Sequence, residues 1–169
     1  MRTTRIALSV TALVALAAPI AGLATPAAAA PERAIIEGTS GPDFPDGTND
    51  DDVIRVYAGD DVVTANGGDD VVRLGRDDDA GYGDAGNDEI VDGPGVDRVR
   101  GGAGADRIGN SLGHDRIWAG SGRDTVWLPP HDGVDQVRCG AGHDTVIYNL
   151  ESDATDLISP SCEEVLVLS

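Results

Sequence analysis

Between residues 38 and 147 the apolar positions obey a single rule. A lone β-branched residue recurs at Ile54, Val63, Val72, Ile90, Val99, Ile108, Ile117 and Val126, and after one longer interval at Val137 and Val146. Two residues before each stands an aspartate, and the full series is Asp43, Asp52, Asp61, Asp70, Asp79, Asp88, Asp97, Asp106, Asp115, Asp124, Asp135 and Asp144. The interval is nine residues throughout, except for eleven between Asp124 and Asp135. Two residues before the aspartate the chain carries glycine at every unit but two, where Asp50 and Asp77 stand instead. Pro45 and Gly81 occupy the apolar place after Asp43 and Asp79.

Each unit therefore reads as a Gly- and Asp-rich turn of six residues followed by a three-residue strand with a β-branched centre. One inward side chain per nonapeptide cannot form a core alone, whereas stacked units bury a continuous one. If the chain turns once per unit, two units close a coil of 18 residues, and the inward residues of two facing parallel sheets meet. The predicted fold is all-β: a two-sheet parallel solenoid with 18 residues per coil. The two residues added near Pro129 and Pro130 fit a bulged turn that leaves the stack intact.

Composition alone would suggest something else. The 169 residues include 30 acids against 12 bases, all of the bases arginine, with only six aromatic residues. That balance also marks disordered chains, but random acidic chains have no nine-residue ruler. Good helix formers are scarce, which argues against a helical bundle. The sign of the charge excludes nucleic acid and anionic lipid as natural partners and favours a cation.

The first 29 residues have the form of a signal peptide. Arg2 and Arg5 precede an apolar run from Ile6 to Ala24, and small residues up to Ala30 supply a cleavage site after Ala29. Cleavage would leave a lead-in of residues 30–37, the repeats at 38–147 and a cap at 148–169. The expectation is an extracellular chain with no membrane insertion after processing. Export permits oxidation, and the even cysteine count reads most simply as a Cys139–Cys162 disulfide. A thiolate metal site or a catalytic cysteine is the alternative, without a C-x-x-C spacing or an obvious base to support it.

Stacking places aspartates 18 residues apart about 4.8 Å from one another, so each edge of the roll becomes a carboxylate ladder. Two bare carboxylates at that distance repel by about 1 kcal/mol in a water-like dielectric and about 3–4 kcal/mol at an effective value of 20. A hard divalent cation with oxygen ligands relieves this, and glycine lets turn carbonyls join the ligand set.

The segments GGAGADRIG (Gly101–Gly109), GDAGNDEIV (Gly83–Val91), AGSGRDTVW (Ala119–Trp127) and CGAGHDTVI (Cys139–Ile147) resemble the hemolysin-type calcium-binding, or RTX, nonapeptide GGxGxDxUx. The resemblance implies a right-handed parallel β-roll, closed by a C-terminal cap, with calcium ions held between turns two repeats apart by the motif aspartate and turn carbonyls. Carried onto this chain, it points to Asp61, Asp70, Asp88, Asp97, Asp106, Asp115, Asp124, Asp135 and Asp144, with Gly83, Gly101, Gly102 and Gly104. Ten sites is an upper bound. Sites on Asp43 and Asp79 are expected to be weak or absent, because Pro45, Asp77 and Gly81 break the motif there. The tail ending in Cys162-Glu-Glu-Val-Leu-Val-Leu resembles the caps of secreted actinobacterial proteins of this type, and is expected to cover the open end of the roll with the disulfide as its staple.

No catalytic function is expected. H-E-x-x-H is absent from the sequence, and His114, His131 and His143 read as solvated turn residues rather than bases. Paired acids such as Asp60 and Asp61 belong to a periodic array without a differentiated acid and base. Tyr82, Arg100, Trp118 and Arg138, with Arg98 and Arg116 beside them, should stack on one outer face. They form either a supporting cation–π ladder or a platform for a cell-surface polysaccharide. The expected function is that of a secreted calcium-binding protein that folds on binding. A calcium-stabilised adhesion or glycan-binding module is the alternative, a polysaccharide-modifying enzyme the third possibility, and the oligomeric state is left open.

Overall fold

The computed structural model describes residues 33–130, 133–149 and 156–168. The signal peptide, the first residues of the lead-in and His131 lie outside them. The described residues hold fourteen strands and no helix. One sheet runs through β1 (Ile35–Glu37), β2 (Val53–Arg55), β4 (Val71–Arg73), β6 (Glu89–Val91), β8 (Arg107–Gly109), β10 (Thr125–Leu128), β12 (Thr145–Asn149) and β14 (Glu164–Leu168). The other runs through β3 (Val62–Thr64), β5 (Ala80–Ala85), β7 (Arg98–Ala103), β9 (Arg116–Gly122), β11 (Gln136–Gly142) and β13 (Leu157–Ile158). Every pairing is parallel, and from β2 onward the chain alternates between the sheets at each strand, so the molecule is a two-sheet β-roll.

The register carries the ruler. Paired residues lie 18 apart, as in Ile54↔Val72, Val72↔Ile90 and Val99↔Ile117. After the proline turn the separation is 20, as in Ile117↔Val137 and Val126↔Val146, and pairing continues without a break. All ten inward β-branched residues are buried, from Ile54 to Val146. Gly81 leaves a gap in their column, and Leu74 from the opposite sheet fills it: a Cβ on Gly81 would lie 2.9 Å from Leu74 Cδ1. Gly104 shows why the turn demands glycine. Its φ is +138°, and a Cβ there would meet the Gly86 carbonyl oxygen one coil away at 1.8 Å.

At the C-terminal end the disulfide joins Cys139 and Cys162 as expected. The last strand does not lie across the opening of the roll. β14 pairs with β12 and extends its sheet by one strand, leaving Val165, Leu166, Val167 and Leu168 exposed. Asp156 and Glu163 stand immediately before β13 and β14 as the motif aspartates stand before earlier strands.

The Leu74 and Gly81 pair is testable by urea denaturation in excess calcium. Leu74→Ala should destabilise by about 2–5 kcal/mol through a cavity, and Gly81→Val by about 1–3 kcal/mol through overpacking. The double variant should lose clearly less than the sum, because the new valine enters the space the leucine vacates.

Candidate metal centre

From Asp52 on, each motif aspartate sits at the end of a turn, one residue before its strand, with its side chain turned into the roll. From Asp52 to Asp144 all eleven are buried. Their carboxylates are bridged by backbone. The N–H of Asp52 donates to Asp70 Oδ1 at 2.7 Å, that of Asp70 to Asp88 Oδ1 at 2.9 Å, and those of Asp88 and Asp106 to Asp106 and Asp124 Oδ1 at 2.9 Å. The other edge repeats this from Asp43 through Asp61, Asp79, Asp97 and Asp115 to Asp135, at 2.7–2.9 Å. The last rungs are Asp156 Oδ1, which accepts from Asp135 N–H at 3.0 Å, and Glu163 Oε2, which accepts from Asp144 N–H at 2.9 Å. A peptide dipole therefore stands between successive carboxylates and offsets part of their repulsion.

The second carboxylate oxygen distinguishes the units. In Asp61, Asp70, Asp79, Asp88, Asp97, Asp106, Asp124 and Asp144, Oδ2 is buried and has no hydrogen-bond partner among the described residues. Asp79 is thus placed like the others. Asp77 adopts the left-handed φ of +81° in the glycine's stead, as a short polar side chain can. The first two units differ. Thr39 N–H donates to Asp43 Oδ2 at 2.5 Å and Thr48 N–H to Asp52 Oδ2 at 2.6 Å, so these turns satisfy their own carboxylates. Asp135 is also engaged at both oxygens, by Asp115 N–H on Oδ1 and by Asn110 Nδ2 on Oδ2 at 2.5 Å.

Turn carbonyls converge on the second oxygens. A Cβ added to Gly83 would lie 2.3 Å from Asp88 Oδ2 and 2.5 Å from the Gly101 carbonyl oxygen, and one on Gly101 would lie 2.4 Å from both Asp106 Oδ2 and the Ala119 carbonyl oxygen. Each point is a small cradle between a carboxylate and the carbonyl of the next coil, with no donor hydrogen supplied to it. Hard oxygen ligands without donors suit calcium. Gly102 and Gly104, with φ of +123° and +138°, shape the same turn.

Burial pushes the carboxyls up. Desolvation, opposed by the backbone N–H and reinforced by neighbouring carboxylates, raises Asp70, Asp79, Asp97 and Asp106 to about 7 and Asp88 to about 6. Asp92, a buried acid outside the motif, is raised to about 9, chiefly by desolvation and then by Asp115 and Asp97.

Several groups were not legible as participants. The residue before the motif aspartate forms an outer ladder: Asp51, Asp69 and Asn87 accept N–H bonds from Asp69, Asn87 and Ala105 at 2.7–2.8 Å. His114, read as merely solvated, accepts the Val134 N–H through Nδ1 at 2.9 Å. On the outer face Arg100 lies 6.0 Å from the Tyr82 ring centre and 5.1 Å from that of Trp118. Arg100 thus lies between the two rings of the expected cation–π ladder.

Residues 46–80, 82–115 and 111–128 match the RTX calcium-binding nonapeptide repeat family. The chain is an RTX-repeat protein, and repeats of this family bind calcium. No curated protein and no solved structure shows a match to the chain.

The raised carboxyls fix a pH dependence. A carboxyl whose pKa is about 4 when unfolded and about 6–7 when folded binds its proton more tightly in the fold. Without calcium the fold should therefore lose stability as pH rises from about 4 to about 7, and regain it on acidification. In chelator, the β signal in far-UV circular dichroism should be stronger at pH 5 than at pH 7.5, and a weaker signal at pH 5 would contradict the assignment.

Proposed function

We propose that the protein is exported and uses extracellular calcium as the last component of its fold, serving as a non-catalytic, calcium-built scaffold. The observation that carries this is the column of buried, unpartnered Oδ2 atoms facing turn carbonyls. Without a cation each is a desolvated acceptor with no donor, and such groups cost free energy in a buried setting. Calcium bound only by the folded state stabilises it by mass action, so the fold depends on calcium concentration. Extracellular modules of this ligand type respond at about 0.1–1 mM, and the apolar N-terminal run supplies a route of export. The ladder acids all hold equivalent positions, with Oδ1 in the same hydrogen bond, which gives no pair with separate acid and base roles.

Titrating calcium into chelator-treated protein at pH 7.5 should convert a largely disordered far-UV spectrum to a β spectrum, with several equivalents bound by calorimetry. A β spectrum indifferent to chelator together with no heat of binding would overturn the proposal.

A further inference from the structure

One interior column breaks its own pattern. Four residues after the motif aspartate, the chain places Val56, Leu74 and Leu128 inward in three coils, but Asp92 and Asn110 in the two between. These two are stacked neighbours, following the paired residues Val91 and Gly109. Asp92 is fully buried, and Asn110 is 7% exposed.

A carboxylate in that column has no apolar logic. Its Oδ1 accepts the Gly93 N–H at 2.6 Å, while its Oδ2 has no hydrogen-bond partner among the described residues. The charged groups acting on it are Asp115, Asp97 and Asp135, all acidic. Asn110 gives its Nδ2 hydrogens to Asp135 Oδ2 and keeps a buried, unpartnered Oδ1. One oxygen from each of Asp92, Asp97 and Asp115 lies within 4.8 Å of the others. Calcium–oxygen distances of about 2.3–2.6 Å put ligands on opposite sides of one ion about 4.6–5.2 Å apart, so the cluster has the span of one coordination sphere.

We infer that Asp92 joins the motif aspartates Asp97 and Asp115 in a calcium site inside one edge of the roll, distinct from the other rungs by its third carboxylate, and that it binds more tightly than the repeat cradles. Asp92 lies outside the family's aspartate position, so this ligand is additional to the repeat pattern. The inference rests on the proposal that the edges bind calcium. Its higher affinity follows from charge: three carboxylates converge here, where a repeat cradle joins a motif carboxylate to neutral carbonyls, and calcium affinity rises with ligand charge and rigidity.

The test is calcium titration by calorimetry, with bound metal counted after gel filtration, on the intact protein and on Asp92→Asn, Asp92→Leu and Glu89→Gln. Asp92→Leu restores the apolar column of Leu74 and Leu128, which guards against a variant that fails only because it does not fold. Both Asp92 variants should lose one equivalent and the tightest step, with the first dissociation constant weakened roughly tenfold or more. Glu89→Gln, an equal charge change on the outer face, should behave as wild type. If Asp92→Asn and Asp92→Leu keep the wild-type count and first step, the distinct site is refuted while calcium binding by the edges stands. If wild type binds no calcium, the underlying proposal fails instead.

Discussion

The structure turns on how each motif aspartate divides its two oxygens. Oδ1 is committed to the backbone N–H of the aspartate one coil earlier, which fixes the rise between coils and holds the carboxylate inside the edge. Oδ2 is then carried into the interior of the turn, where water is excluded and most units provide no donor. The same bond that sets the spacing of the roll thereby produces a desolvated, half-satisfied anion at each rung. A roll of this kind needs either protons or cations at its edges, and the inward β-branched residues, one per nonapeptide, are too few to make up the deficit.

The ends of the roll answer that need by other means. At the start, Thr39 and Thr48 turn their N–H groups onto Asp43 and Asp52. At the finish, Asp156 and Glu163 act as final rungs whose carboxyl oxygens take up the N–H groups of Asp135 and Asp144, and the Cys139–Cys162 bridge holds this last coil to the one before. Near that end Asn110 Nδ2 donates to Asp135 Oδ2. The demand for a cation is therefore concentrated in the middle coils, where the glycine-rich turns follow the repeat most closely.

Much of this was legible because a solenoid repeats a local rule. Spacing alone placed the ten core residues, the two edges, the 18-residue register and the outer Tyr82, Arg100 and Trp118 stack. What spacing could not convey was compensation between units. Asp79 looked compromised by Asp77 and Gly81, but aspartate tolerates the left-handed backbone, and Leu74 reaches across from the other sheet to replace the missing side chain. Asp156 and Glu163 follow longer coils, with register separations of 21 and 19, so they fell off the ruler while keeping its role. The backbone N–H between carboxylates is invisible to any pattern of side chains, and it softens the repulsion that bare charges would feel. Asp92 hid among many acids, because only burial separates it from its exposed neighbours.

Nearest-neighbour coupling gives these details a collective consequence. In a solenoid each coil contacts only the coils beside it, so its stability is the sum of what it brings and what it shares. Here the sharing is polar as well as apolar, because the carbonyl that completes one cradle belongs to the next coil, as Gly101 does for Asp88 and Ala119 for Asp106. A cation bound in one cradle fixes the turn that supplies a ligand to its neighbour, and lowers the ordering cost of the following rung. Filling should accordingly spread along an edge instead of proceeding independently at each repeat. The coil carrying Asp92 and Asn110 lies within the central stretch, between self-capped turns at one end and a stapled coil at the other. An ion held there adjoins unsatisfied rungs in both directions, which makes it the natural origin from which the two ladders order.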